Sequence, residues 1–180
     1  MSQTYYTIVP SPVDDLLLVS DGEALTGLYM EETCGAKTVE PAGKKDPGPF
    51  REVKRQLSAY FAGELRQFDL PIRLAGTEFQ KIVWAALRDL QFGQRVSYGE
   101  LARRIGRPSA SRAVGLANGR NPVGIIVPCH RVIGASGSLV GYGGGLHRKQ
   151  WLLEHEHDDK HEHKHDRTKG TRPRSQRTLI

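Results

Sequence analysis

The run Pro128-Cys129-His130-Arg131 places a thiol beside two basic side chains. The thiolate is the nucleophilic form of cysteine, and neighbouring cations lower a thiol pKa. Cys129 is therefore a candidate nucleophile and His130 a candidate base; the ordinary alternative is a small buried hydrophobe. Consecutive side chains on an extended chain point to opposite faces. A direct Cys129–His130 hydrogen bond is then awkward, and a bridging water or a turn serves better. A base also needs an orienting group. Glu154 and Glu156, on a helix starting near Leu146, both qualify by spacing. The other cysteine, Cys34, lies in a loop-like stretch near Glu31 and Glu32 and reads as incidental. The two form neither a disulfide framework nor a zinc-finger spacing, and a reducing, cytoplasmic compartment is expected.

The elements that must position these residues follow from periodicity. Tyr5–Pro10, Leu16–Ser20 and Leu25–Tyr29 are β-like runs, punctuated by Asp14-Asp15 and Asp21-Gly22 as hairpin turns would be. Residues 33–49 read as a loop. Phe50, Val53, Leu57, Tyr60 and Phe61 recur at helical spacing, with Gly63 as a stop. Phe68–Leu74 is a short extended stretch. Thr77 caps a helix whose apolar face holds Phe79, Ile82, Val83, Ala86, Leu87 and Leu90. Ser97 caps a helix over Tyr98–Ile105, Gly106-Arg107-Pro108 breaks it, and Ser109 caps a second helix carrying Ala113, Val114, Leu116 and Ala117. That pair fits a helix-turn-helix. The fold class is α/β: a small N-terminal α/β domain with antiparallel strands over 1–74, and a mostly helical domain with the helix-turn-helix over 75–156. A His/Lys/Arg-rich low-complexity tail over 157–180 reads as disordered.

A chain 38% hydrophobic and 26% charged can build an ordinary core. Its longest apolar runs, such as Leu16 to Val19, fall far short of the roughly 20 residues needed to cross a bilayer. The stretch Met1–Pro10 has neither the basic patch nor the apolar run of a secretory signal. Net charge is +6, and residues 95–131 carry seven arginines against one acid, Glu100. Such a focus points to a polyanion, most commonly nucleic acid. The second helix of the pair is rich in small residues (Ala110, Ser111, Ala113, Gly115, Ala117), whereas base reading in a major groove uses Arg, Asn or Gln. Sequence-tolerant binding is expected, with Arg112 the one long basic side chain there.

Pro128-Cys129-His130-Arg131-Val132, preceded by Asn121-Pro122 and followed by Gly141-Tyr142-Gly143-Gly144-Gly145-Leu146, resembles the signature of the 6-O-alkylguanine-DNA alkyltransferases. The resemblance covers about residues 3–156. It implies a DNA-repair protein, consumed in a single turnover, that rotates a damaged guanine out of double-stranded DNA and takes its alkyl group. By that resemblance Cys129 is the acceptor, His130 the water-bridged base, Glu156 its orienting acid and Asn121 the brace of the active-site turn. Tyr98 crowds the target phosphate and hydrogen-bonds the base, while Arg112 fills the vacated stack. Ser97, Ala113 and Gly115 face DNA. Tyr142 and Gly143 lie on a loop closing over the base, and the Val132 carbonyl receives the base's exocyclic amine.

No cofactor is expected. Gly141–Gly145 lacks the features of a nucleotide-phosphate cradle. Residues 1–94 hold one cysteine and no histidine, so no metal is expected at the N-terminal zinc site some relatives carry. The expected place of work is the cytoplasm, on the nucleoid, as a monomer, with cooperative binding on DNA left open. The other readings are a non-catalytic binder of alkylated bases, which Cys129 argues against, and a cysteine hydrolase, which would turn over repeatedly.

Overall fold

Alternating apolar residues build the first sheet. In β2 (Leu16–Ser20), Leu16, Leu18 and Ser20 are buried while Leu17 and Val19 are half-exposed, the period of a strand with one covered face. It pairs antiparallel with β1 (Tyr5–Val9) and with β3 (Leu25–Met30). The connections turn at Asp14 and Gly22, both at positive φ. The computed structural model describes residues 3–30 and 43–165, with side chains described through His157; Cys34 and residues 166–180 lie outside the described residues. β4 (Lys44–Lys45) pairs parallel with β1, giving the order β3-β2-β1-β4 and correcting the expectation of a loop across 33–49. α1 (Arg51–Phe61) buries Val53, Gln56, Leu57 and Tyr60 and stops at Gly63, whose φ of 76° suits a helix terminus.

α2 (Glu78–Arg88) starts in a capping box made by Thr77 and Gln80. Its buried face is Val83, Trp84 and Leu87, continued by Leu90. Ile82, expected inside, is 46% exposed, because the large Trp84 indole takes the inward position and rotates the face by a residue. Its Nε1 donates to the Ala117 carbonyl at 2.9 Å and pins α2 to α4 (Ser111–Gly119). α3 (Tyr98–Arg104) begins in a second capping box, Ser97 with Glu100. α4 does not begin at a Ser109 cap. Ala110 is its N-terminal boundary, bonded by its own N–H to the Arg107 carbonyl, so the inter-helix turn consumes Ser109. β5 (Val96–Ser97) pairs parallel with β6 (Val132–Ile133). α5 (Leu146–His165) runs beyond Glu156, so the first part of the tail expected to be disordered from 157 is helical.

One apolar core spans both halves, joining Leu16, Leu28 and Tyr60 to Trp84, Val123 and Leu152. The outer edge of β3 is occupied twice, as an unpaired strand edge requires. Leu25 bonds the Pro71 carbonyl and Arg73, and Leu28 bonds the Pro122 carbonyl and Gly124. The second contact holds the loop that leads to Cys129.

Candidate active site

The approach to Cys129 is a braced, strained loop. Asn121 Nδ2 donates to the Val127 carbonyl at 2.8 Å, and Asn121 Oδ1 accepts from Val123 N at 3.1 Å. One side chain thus bonds both ends of the loop. Inside the loop Ile125 sits at φ 68°, a conformation costly for a β-branched residue, and Ile126 N bonds the Gly124 carbonyl across it. A tight turn at Pro128 follows, closed by Cys129 N to the Val127 carbonyl at 2.8 Å. Cys129–Arg131 then form one 3₁₀ turn, so the three side chains fan out in different directions.

His130 and Arg131 both reach Glu156, which is fully buried. His130 Nε2 lies 3.0 Å from Glu156 Oε1, while Arg131 places Nε at 2.9 Å from Oε2 and Nη2 at 2.8 Å from Oε1. Gly93 N donates to Oε2 at 3.0 Å, and Tyr60 Oη donates to Oε1 at 2.9 Å. Arg131 Nη1 donates to the Leu90 carbonyl at 2.6 Å. Of the two acids that spacing allowed, Glu154 is exposed and accepts from Gln150. The other imidazole nitrogen, His130 Nδ1, is buried with no protein partner.

The charges differ from those the sequence led us to expect. Burial would raise the Glu156 carboxyl, but His130 and Arg131 outweigh it and hold it far below the ordinary range. Burial lowers His130 more than Glu156 raises it, so the imidazole is neutral at pH 7. The Arg131 charge is spent on the carboxylate. Neither neighbour in sequence therefore supplies the positive charge at the thiol. Burial pushes the Cys129 thiol up, and what offsets it is Asn121 together with Lys149. Lys149 is wholly buried, its Nζ 2.6 Å from the Val132 carbonyl and 3.0 Å from the Val140 carbonyl. Burial lowers its pKa, while the Cys129 thiolate raises it. The sequence reading missed Lys149, Tyr60 and Gly93; Lys149 stands in the basic run His147-Arg148-Lys149, where nothing marks it as buried.

Cys129, Asn118, Asn121 and Tyr142 line a pocket of about 30 Å³ with Gly143 and Gly144. Tyr142 is half-buried over it, its hydroxyl beside Met30 Sδ and near the thiol. Gly144 permits this closure, since a Cβ there would fall 2.8 Å from Met30 Sδ and 2.9 Å from the Tyr142 ring. The Val132 carbonyl accepts from Lys149 Nζ. Tyr98 Oη donates to the Val140 carbonyl at 3.2 Å, so α3, the loop and Lys149 share one acceptor. Burial and the nearby Cys129 raise the Tyr98 pKa, keeping the phenol protonated.

On α4, Arg112, Ala113, Leu116 and Gly119 form the exposed face, continued by Arg120 just after it, and Gly115 is half-buried beneath the Tyr98 ring. Leu116, 66% exposed, was not anticipated as a surface residue. Ser97 is half-exposed, and its oxygen accepts from Glu100 N as the α3 cap. Of the seven central arginines, Arg131 is internal and Arg95 binds the Leu153 carbonyl; Arg103, Arg104, Arg107, Arg112 and Arg120 are exposed on the helix-turn-helix and the turn after it. Among the described residues no acidic, histidine and cysteine cluster could hold a metal, and no helix is long and apolar enough to cross a membrane.

Residues 4–74 match the family model for the ribonuclease-like domain of 6-O-methylguanine DNA methyltransferase, and residues 78–158 match that for its DNA-binding domain. A methylated-DNA–protein-cysteine methyltransferase of Mycobacterium tuberculosis is 54% identical over 153 residues, covering 83% of this chain and 90% of the relative. One from Methanosarcina acetivorans is 52% identical over 152 residues, covering 83% and 96%. The crystal structure of Mycobacterium tuberculosis OGT in complex with DNA is 52% identical, with a TM-score of 0.80 over 86% of this chain and 94% of that one. A 6-O-methylguanine-DNA methyltransferase from Pyrococcus kodakaraensis, 24% identical with a TM-score of 0.54, shares the fold. With both family domains matched in order along one chain, this protein belongs to the methylated-DNA–protein-cysteine methyltransferases.

Proposed function

We propose that this chain repairs double-stranded DNA by moving the alkyl group of a 6-O-alkylguanine onto Cys129 Sγ, once per molecule. The observation that carries this reading is a cysteine at the floor of a closed pocket, next to a neutral histidine tied to a buried carboxylate. His130 Nδ1 is the atom to take the thiol proton through a bridging water, since its other nitrogen is committed to Glu156. The thiolate attacks the alkyl carbon, an S–C bond forms, and the C–O bond breaks with its electron pair going to the guanine oxygen. The thiol proton ends on the departing base, which leaves as ordinary guanine. Tyr98, protonated throughout, is the donor that eases the base's departure. The thioether is not hydrolysed, which separates this reading from a cysteine hydrolase. Incubation with methylated duplex followed by mass spectrometry tests it: one methyl group per chain is expected, on the peptide containing Cys129.

A pocket of about 30 Å³ holds roughly one water and no purine. The loop at Gly141–Gly145 must therefore open to admit an extruded base, and Tyr142 and Gly143 close over it. Arg112, exposed at the start of α4, fills the vacated stack, with Ser97, Ala113 and Gly115 along the same DNA-facing surface. Arg112→Ala should slow transfer on duplex DNA while leaving transfer from the free alkylated base unchanged, because only the duplex needs base extrusion. The salt dependence of DNA binding should weaken by about one unit. Equal slowing on both substrates would remove Arg112 from the stack. Working on chromosomal DNA, the protein acts in the cytoplasm at the nucleoid.

Lys149 supplies the positive charge that the thiolate needs. Lys149→Met preserves much of the stem but takes the Nζ donor from the Val132 carbonyl, costing about 1–3 kcal/mol, while the Val140 carbonyl keeps the Tyr98 hydroxyl. The Cys129 thiol pKa should rise further, so alkylation by iodoacetamide at pH 7 should slow several-fold and recover at higher pH. An unchanged pH profile would show that Lys149 only holds the loop.

A further inference from the structure

The Glu156 carboxylate is completed from the other half of the molecule. Tyr60, on α1, is fully buried, and its hydroxyl donates to the same Oε1 that faces His130 Nε2. Its backbone carbonyl meets His155 Nε2 at 2.8 Å. Two consecutive residues of α5 thus grip both polar ends of one residue of α1. The surroundings fix the ring: Phe61 and Phe68 at 5.3 Å, Phe92 at 6.0 Å and His155 at 5.2 Å, with Trp151 stacked on His155 at 5.0 Å. A buried phenol needs a partner for its hydroxyl. Any acceptor would meet that need; this one is the acid that orients the base.

We propose that Tyr60 is a positioning residue for alkyl transfer: by donating to Glu156 Oε1 it sets the carboxylate's orientation and its pull on His130, so that the N-terminal domain takes part in the chemistry. This rests on the reading of Cys129, His130 and Glu156 given above. Burial and the Glu156 charge keep the phenol protonated, so it is always a donor. The ionisable groups around the carboxylate are His130 and Arg131 from the 3₁₀ turn and Tyr60 from α1, with His155 next to it on α5 and Lys149 acting on His130 from one face. When the Tyr60 hydroxyl is removed, more of the carboxylate's charge is left to His130. The imidazolium form is then favoured and the base is lost at a higher pH.

The test is Tyr60→Phe in the full chain, read by single-turnover transfer from methylated duplex across pH. At saturating DNA and neutral pH the rate should fall roughly tenfold, the equivalent of one hydrogen bond to a charged group. The acidic limb of the profile should move up by about half a pH unit, while affinity for undamaged duplex stays within about twofold. Phe61→Leu, which disturbs the same aromatic cluster without touching the carboxylate, should lower the melting temperature and leave the acidic limb in place. A normal rate and an unmoved limb in folded Tyr60→Phe would overturn the proposal and leave Tyr60 as packing. Should that variant not fold, 3-fluorotyrosine at position 60 keeps the ring and strengthens the donor; the limb should then move down, and an unmoved limb there overturns it equally. If the wild-type protein transfers no alkyl group, the reading of the site fails instead, before any variant is made.

Discussion

Cys129→Ala is expected to abolish alkyl transfer completely while leaving DNA binding intact. The side chain is 7% exposed and its loss removes one sulfur atom from the pocket floor, so the fold should be little disturbed. The exposed arginines lie elsewhere, on α3, α4 and the turns beside them. Affinity for undamaged duplex should therefore match the wild type, with the same steep fall as salt rises. The wild type should yield product equal to the protein present and then stop, because nothing in the pocket can cleave a thioether. Mass spectrometry after exposure to methylated duplex decides the matter. Repeated turnover would mean a different reaction, and methyl found on Cys34 in the wild type would mean a different nucleophile.

Local patterns in the chain reveal the elements well. The alternation in Leu16–Ser20, the capping boxes at Thr77 and Ser97 and the stop at Gly63 are short-range features, and short-range chemistry decides them. Ile82 and Ser109 went astray for tertiary reasons: a large neighbour claimed the core at the first, and the turn consumed the cap at the second. The candidate nucleophile and the base proposed for it are legible because they are adjacent in a motif. Their electrostatics are not. His130 and Arg131 read as cations beside Cys129, yet the 3₁₀ turn sends both to Glu156, and the nearby charge comes from Lys149, twenty positions on. Tyr60 lies 96 positions from Glu156, and only the docking of α1 on α5 brings them together. No periodicity in α1 marks Tyr60 as anything but core.

Glu156→Gln should cost more stability than any other single change at the site, together with most of the activity. The substitution keeps the shape but leaves the buried Arg131 guanidinium without a counter-charge. Breaking a buried pair from one side typically costs 3–5 kcal/mol, a fall of roughly 10 °C in Tm for a chain of this size. Transfer at saturating DNA should drop roughly a hundredfold, the low end for losing an organised base. The pH dependence follows from the direction of the shifts. Glu156 titrates lower folded than unfolded, so its contribution is present above about pH 4.3 and is lost as pH falls further. His130 is also lowered, so its contribution is full above about pH 6.5 and is lost as pH falls through its folded value. The wild-type Tm should thus decline in two stages on acidification. In the variant the second stage should shrink to what the exposed carboxyls of Asp21, Glu52 and Glu100 contribute, since these are lowered too, and the two curves should converge in strong acid. Adding Arg131→Met to Glu156→Gln removes the stranded charge, so much of the lost stability should return. Transfer should not return with it, since His130 still lacks its carboxylate. A double variant that regains both would show that Glu156 serves the fold alone.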